Sequence, residues 1–557
     1  MMPINLLVGG AAGQGIETTS GILENLLQKA GYYVLTCRDF MSRVRGGHNF
    51  SLIRIGPDPI TSHNYNLNIL VALNQESWDL HQHQLAADGI GLADESLQTD
   101  DARVIKIGWQ QIAKDLGFPP AAGSVVIGAL LGLLKLDLQH LEAVLTAVVG
   151  ENHLAENLAA IKAGHEKVKP HFDIQPGHAG DLQIISGNQA IALGALAAGL
   201  RFYTAYPMSP STSILEFLAH KSQEADIIVE QAEDEIAAVN MAIGASFAGA
   251  RAMTGTSGGG FSLMVEGLGL TGMAEIPLVI VNAQRPGPAT GLPTRTEQSD
   301  LKFVISASQG EFPRLIIALR DQQDAYDQTF RAFDIAERYR IPVILLTDQF
   351  LADATTTISP FQIPDKASPV APESALPAED YRYYQLTEDG LSPRVLPGHP
   401  RYFATADSDE HDECGKITES AEVRVQMVDK RMRKLKKLEQ ELIEPAYFGS
   451  EDCETLLIGW GSLQGSLCEA ITALNEASQT RYGALVFGDI YPLPTSRCAE
   501  LAGAAKRIIN VEQNATGQLA GLLREYAGIT CHASLLKYDG RQMSGEEIIA
   551  WLQKEGY

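Results

Sequence analysis

Pro277-Leu278-Val279-Ile280-Val281 and Pro342-Val343-Ile344-Leu345-Leu346 are two short runs with no polar side chain. A strand with one wet face alternates apolar and polar residues. An unbroken apolar run suits a strand covered on both faces, as in a parallel sheet flanked by helices. Ala225-Asp226-Ile227-Ile228-Val229 reads as a third strand of the same sheet. Gly187-Asn188-Gln189 opens an Ala/Gly-rich helix, Ala190 to Gly199, whose small side chains suit close packing at a buried or inter-subunit contact.

The same alternation extends outward in both directions. Near the N-terminus, Asn5-Leu6-Leu7-Val8 reads as a strand that runs into Gly9-Gly10-Ala11-Ala12-Gly13-Gln14-Gly15. A helix with Ile22, Leu23, Leu26 and Leu27 on one face follows. Toward the C-terminus, Thr455-Leu456-Leu457-Ile458-Gly459, Ala484-Leu485-Val486-Phe487 and Arg507-Ile508-Ile509-Asn510-Val511 repeat the pattern. The expected fold class is α/β, with three doubly wound parallel-sheet domains. The expected boundaries are 1–172, 180–364, a connector with a charged helix at 365–445, and 446–557. Prolines crowd the stretch from Ser359 to Pro400, which reads as an extended connector over the surface. The basic cluster of the following helix, Ala421 to Leu442, reads as a solvated face.

At 557 residues the chain has room for three or four cores. Its net charge of −25 argues against binding nucleic acid or an anionic membrane surface. The six cysteines form no C-x-x-C pair, so neither a disulfide scaffold nor a cluster held by this chain alone is expected. No metal ligands are assigned. Met1 to Gly15 has no basic stretch before an apolar one, and the apolar run Val125 to Leu134 is too short to cross a bilayer. A cytoplasmic location is expected.

Several motifs could carry chemistry. Gly9 to Gly15 joins a strand to a helix and reads either as an anion-binding turn, with Gly13 and Gly15 exposing backbone N–H groups, or as a tight structural turn. Arg43 and Arg45, beside Gly46-Gly47-His48, read either as further anion contacts or as solvated arginines. Tyr206-Pro207-Met208-Ser209-Pro210-Ser211-Thr212 fixes a hydroxyl-rich turn between two prolines, and one of its hydroxyls is expected to cap the next helix. In Glu233-Asp234-Glu235-Ile236-Ala237-Ala238, Glu235 is expected to face the buried side, where a carboxylate holds a proton more readily. Thr256-Ser257-Gly258-Gly259-Gly260 brings bare backbone close to a neighbour, and Arg285 and Arg295 sit in a Pro/Gly loop suited to gripping a carboxylate.

Taken together, these motifs resemble the 2-oxoacid:ferredoxin oxidoreductases, in the form that fuses γ and α subunits. The resemblance rests on Gly9–Gly15 and Arg45-Gly46-Gly47 in the γ-like part. In the α-like part it rests on Tyr206–Ser211, Glu233–Ala238, Thr256–Gly260 and the Gly287–Gln298 run. Tyr491-Pro492-Leu493-Pro494 and Val511–Gln518 are similar to a transketolase C-terminal-type domain. The resemblance implies that residues 180–364 form a thiamine diphosphate pyrimidine-type domain. There Glu235, with Glu233 as runner-up, would hydrogen-bond N1′ of the aminopyrimidine and promote its imino tautomer. It further implies cofactor contacts from Tyr206, Pro207 and Ser257, and substrate contacts from Ser209, Arg285 and Thr294, with Arg295 as a substitute for Arg285. Gly13, Gly15, Arg43 and Arg45 become candidate CoA contacts.

The implied reaction is reversible oxidative decarboxylation of a 2-oxoacid to acyl-CoA and CO2, with electrons passing to ferredoxin. 2-Oxoglutarate is favoured over pyruvate and branched-chain acids. Run in reverse it would fix CO2, as in a reductive TCA cycle. Gly488-Asp489 continues as Ile490-Tyr491 rather than Gly-Asp-Gly, so the diphosphate/Mg2+ half of the thiamine site is missing. A β subunit should supply that half and a [4Fe-4S] cluster, in a dimer of heterodimers. A non-catalytic interaction subunit is the alternative reading. Cys414 stands where relatives often have tyrosine.

Overall fold

The computed structural model describes residues 3–42, 47–136, 138–175, 177, 181–365, 370, 377, 379–450, 452–477 and 479–557. Contacts along the chain group it into two units. One comprises Met1–Ser186, Asp353–Pro360 and Ser544–Glu546; the other comprises Gly187–Ala352, Phe361–Met543 and Glu547–Tyr557.

The first unit is built on one eight-stranded sheet. Its order is Val104–Lys106, Leu85–Ala93, Leu67–Ala72, Ile4–Ala11, His48–Gly56, Tyr33–Asp39, Thr355–Ile358, Gln183–Ser186. The first four strands are parallel, as the βα alternation predicts. From Ile4–Ala11 onward the pairing turns antiparallel, so the sheet is mixed rather than wholly parallel. The reason is local: the link 40–47 is shorter than the dozen or so residues a parallel crossover needs. Gln183–Ser186 and Thr355–Ile358, read from sequence as the ends of the second segment, pair with each other in this sheet.

The apolar helix Ala122–Leu133 is buried nearly all round. It packs backbone to backbone on Leu154–His165, because a Cβ on Gly128 or Gly164 would strike Ile161 O or Val125 O. No helix among the described residues is long and apolar enough to cross a membrane.

The second unit holds two sheets. The larger runs Asp489–Tyr491, Leu315–Ala318, Pro342–Asp348, Leu278–Gln284, Ala252–Thr256, Phe202–Ala205, Ile228–Gln231, parallel throughout except for its first strand. Leu278–Gln284 and Pro342–Asp348 are fully buried, as their unbroken apolar runs require. The run Ala225–Val229 behaves differently. The helix Thr212–Ala225 continues through Ala225, Asp226 turns left-handed, and the strand begins at Ile228. It lies at the sheet edge, where Ile228 is 62% exposed, so its apolar character does not mark a covered strand. The small-residue helix, Gly187–Ala197, lies close to Gln322–Tyr339; a Cβ on Gly194 would strike Tyr326 O. The smaller sheet runs Ala446–Gly449, Tyr482–Phe487, Thr455–Trp460, Arg507–Glu512, Ala533–Leu536.

Two expectations for the connector are corrected. Its described residues form no helix or strand between Ile358 and Ala421, yet Tyr381, Tyr383, Tyr384 and Tyr402 pack with Met427 into a small buried core. The basic helix, Ala421–Leu438, is not a solvated face. Lys430 and Lys434 are fully buried and both donate to the Glu275 carboxylate, Lys430 Nζ at 2.6 Å. Arg431 is also buried and donates twice to Glu410. A stripe of cations was readable in the sequence; the carboxylates that neutralise it lie 155 and 21 residues away.

Candidate active site

In parallel sheets, ligands collect beyond the carboxyl ends of the strands. Four neighbouring strands of the larger sheet end at one edge: Leu278–Gln284, Ala252–Thr256, Phe202–Ala205 and Ile228–Gln231. The proline turn Tyr206–Thr212, the Glu233–Ala238 stretch, the Thr256–Gly260 turn and the Pro/Gly loop of Arg285 leave these ends. Topology therefore gathers residues separated by up to about eighty positions in the chain.

Glu235 is the first residue of the helix Glu235–Phe247. Asp234 caps that helix by accepting from Ala237 N at 2.7 Å, which fixes the backbone where Glu235 leaves it. Glu235 is 5% exposed, whereas Glu233 lies exposed. Its carboxylate rests against the bare backbone of Gly260, where any Cβ would strike Glu235 Oε1 and Thr256 Oγ1. Among the described residues none donates a hydrogen bond to it. A carboxylate with no protein donor takes its hydrogen bonds from water or from a ligand. A protonated pyrimidine ring nitrogen, with its N–H, is a donor of that kind, so the residues fit the pyrimidine half of thiamine diphosphate. Ser257, which precedes the helix Gly258–Met273, is likewise fully buried with an unpartnered hydroxyl.

The proline turn lies over this backbone. Thr256 Oγ1 contacts Met208 Sδ at 3.7 Å, and a Cβ on Gly259 would lie 3.3 Å from Met208 Cε. Tyr206 is partly exposed, Pro207 is half-buried and Ser209 is exposed. The expected helix cap is not made as predicted. Ser211 occupies the capping position, but its hydroxyl donates to Met208 O at 2.8 Å and so tightens the turn itself.

Arg285 is 9% exposed, and its Nη1 donates to Ser209 O at 2.7 Å. It lines a cavity of about 250 Å3 together with Gly258, Gly259, Pro288, Asp300 and Phe303. No carboxylate among the described residues lies within ion-pair distance of it, so the fork of Arg285 is available to an anion. Burial lowers its pKa, opposed by the charge of Asp300. Thr294 is half-buried in the turn Leu292–Arg295 and does not line this cavity. Arg295 lies beside Gly540, so it is Arg285 and not Arg295 that faces the cavity. The run that carries these residues is braced from the C-terminal segment. Gln298 N donates to Gln513 O at 2.7 Å, Gln298 Nε2 to Trp460 O at 2.8 Å, and Asn514 Nδ2 to Gln298 O at 3.2 Å.

Asp300 was not singled out in the sequence, although it precedes the apolar helix Leu301–Ser306 in a capping position. Its side chain makes no cap there. Burial raises its pKa, while hydrogen bonds from Asn282 and Ser299 and the charge of Arg285 act against that. Nearby Glu297 is pushed up to about 7 by burial and by repulsion from Asp300 and Asp539.

In the first unit, the Gly9–Gly15 turn borders a second cavity, of about 540 Å3. Gly13 and Gly15 have φ of 92° and 78°, which favours glycine, and open space lies where their Cβ atoms would be. The Gln14 side chain folds back into the turn. Its Oε1 accepts from Ala11 N at 2.6 Å and from Asn74 Nδ2 at 3.0 Å. The described lining includes Trp109, Phe118 and His153, with no lysine or arginine. Arg43 and Arg45 lie outside the described residues. No group of three or more His, Cys, Asp or Glu side chains that could hold a metal is found among the described residues.

Comparison with known proteins gives the family. Residues 193–430 match the family model "Pyruvate flavodoxin/ferredoxin oxidoreductase, thiamine diP-bdg", and residues 5–167 match "Pyruvate ferredoxin/flavodoxin oxidoreductase". The chain is 31% identical over 615 residues to the 2-oxoacid:ferredoxin oxidoreductase subunit alpha of a Sulfolobus species, covering 98% of this chain and 96% of that one. It is 32% identical to the 2-oxoglutarate synthase subunit KorA of Methanothermobacter thermautotrophicus, over 66% of this chain and 98% of that one. Among solved structures, the 2-oxoglutarate:ferredoxin oxidoreductase of Magnetococcus marinus, with 2-oxoglutarate, coenzyme A and succinyl-CoA bound, superposes with a TM-score of 0.93. The identity is 29% and both chains are covered completely. Two matches to oxidoreductase family models in one polypeptide, one of them thiamine-binding, and 31% identity over nearly the whole length of an alpha subunit make this chain a member of the 2-oxoacid:ferredoxin oxidoreductase family.

Proposed function

We propose that this chain supplies the pyrimidine half of a thiamine diphosphate site and the substrate grip of a CoA-dependent 2-oxoacid:ferredoxin oxidoreductase. The observation that carries the reading is Glu235: a buried carboxylate at a parallel-sheet edge with no donor of its own. When bound, the thiamine cofactor supplies the nucleophilic carbon that cleaves the 2-oxoacid. Glu235 holds a proton at the pyrimidine edge. Tyr206, Pro207 and Ser257 border the ring, Arg285 orients the substrate carboxylate while the Ser209 carbonyl holds that arginine, and Thr294, outside the cavity lining, is proposed as a further contact from the adjoining loop.

A separate β subunit provides the diphosphate/Mg2+ half and a [4Fe-4S] cluster that passes electrons to ferredoxin. The working assembly is a dimer of heterodimers in the cytoplasm. 2-Oxoglutarate is the favoured substrate, supported by the names of the KorA relatives and of the Magnetococcus enzyme. Gly13, Gly15, Arg43 and Arg45 are proposed to contact CoA. A neutral, mixed polar and aromatic cavity beside the glycine turn suits the adenosine end of such a molecule.

The test is to purify the chain together with its encoded partner and measure viologen reduction driven by 2-oxoglutarate, pyruvate and branched-chain 2-oxoacids, each with and without CoA. The reading expects CoA-dependent turnover, fastest with 2-oxoglutarate. Turnover with none of them contradicts it.

A further inference from the structure

We propose that Asp300 takes up a proton when a carboxylate substrate settles beside Arg285, so that substrate capture in this cavity is coupled to protonation. The inference rests on the reading of the cavity as the 2-oxoacid site.

The coupling comes from the balance of charge in the cavity. Arg285 and Asp300 line the same cavity of about 250 Å3, whose other described walls include Pro286, Pro288 and Phe303. With Asp300 ionised before substrate arrives, the cavity holds one cation and one anion. A substrate carboxylate on Arg285 leaves two anions and one cation lining one half-open cavity, and repulsion between the two carboxylates favours a proton on one of them. The guanidinium cannot change its state, so the adjustment falls on the carboxyl.

Asp300 is held in place for that role. Its N–H donates to Gln284 Oε1 at 3.0 Å, Asn282 Nδ2 donates to its Oδ2 at 3.1 Å, and Ser299 Oγ to its Oδ1 at 3.1 Å. Gly258 gives it room, since a Cβ there would lie 2.5 Å from Oδ2. Of the charged groups around it, Arg285 favours the anion, while Glu297 repels it. Lys302, two residues on, reaches away toward Gly521. The proton comes from solvent, converts carboxylate to carboxylic acid, and breaks no bond of the substrate.

The experiment is titration calorimetry of the chain with its partner. The probe is 2-hydroxyglutarate, which keeps both carboxylates and has no ketone to react, measured in phosphate and in Tris at one pH. The wild type should take up close to one proton per probe, seen as heats that differ between the buffers, and Asp300→Asn should take up none. Above neutral pH the wild-type affinity should fall by up to about tenfold per pH unit, while Asp300→Asn stays flat and binds more tightly. Equal heats in the two buffers, with binding still dependent on Arg285, overturn this inference alone. Uptake that survives in Asp300→Asn and disappears in Glu297→Gln also overturns it. A probe that fails to bind, or that binds Arg285→Ala as well as the wild type, removes the site reading and this inference with it.

Discussion

Glu235 and Gly260 share one space: the carboxylate of the first lies where a side chain on the second would have to stand. A glycine at the third position of the helix Gly258–Met273 is poor for helix stability. Its value here is to let a buried acid approach the backbone. Gly260→Ala should therefore push Glu235 aside and lower turnover at least tenfold, with a much smaller effect on folding. Viologen-coupled rates beside a thermal melt check this; an unimpaired rate argues against the shared space.

Arg285 should be needed for the substrate and not for CoA. Arg285→Lys keeps the charge but loses the planar fork, and Arg285→Ala loses both. The 2-oxoacid KM should rise in that order, by about tenfold for Lys and a hundredfold or more for Ala, with the CoA KM unchanged. Steady-state kinetics with each substrate varied in turn measure the split.

Removing Glu275 should be costly to the fold. Its carboxylate is fully buried against Lys430 and Lys434, and its own carbonyl accepts from Arg340 Nε at 3.0 Å. Glu275→Gln leaves those buried cations without an anion, a loss of about 3–5 kcal/mol by analogy with other broken buried pairs. Urea unfolding, read as a lower midpoint, checks it.

Glu410 should shape the acid limb of the stability profile. Burial would raise its pKa, but hydrogen bonds and charges from Arg431 and Arg424 outweigh burial and bring it down to about 2. A folded pKa below the ordinary 4.5 means that its contribution is complete above about pH 4.5. It drains away as pH falls toward 2. The stability gap between wild type and Glu410→Gln should accordingly be widest near neutrality and close between about pH 4.5 and 2. Denaturant midpoints across that range measure the gap.

Much of this architecture was legible because it is local. The runs Leu278–Val281 and Val343–Leu346 specify covered parallel strands, and Gly9–Gly15 specifies a strand-to-helix turn. Glu235 is buried as expected, on the helix face of Ala238 and Val239, although the neighbouring Ile236 is exposed. What stayed hidden depends on distant partners. The two outer strands of the first sheet are placed by where the chain returns at Thr355–Ile358, and the burial of Lys430 and Lys434 by a glutamate over 150 residues earlier. Asp300 carried no signal in the sequence; only the convergence of the Arg285 loop and the Gly258 turn shows that it faces a cavity.

The central claim is that Glu235 is the acid of a half-site completed by a partner. The direct measurement is 2-oxoacid-dependent viologen reduction by the chain alone, by the chain with its partner, and by the same complex carrying Glu235→Gln. The account predicts no turnover from the chain alone and turnover from the complex. In the variant complex it predicts a loss of about a hundredfold or more, with the partner still bound. Decarboxylation by the isolated chain, or a Glu235→Gln complex that works at the wild-type rate, would contradict it.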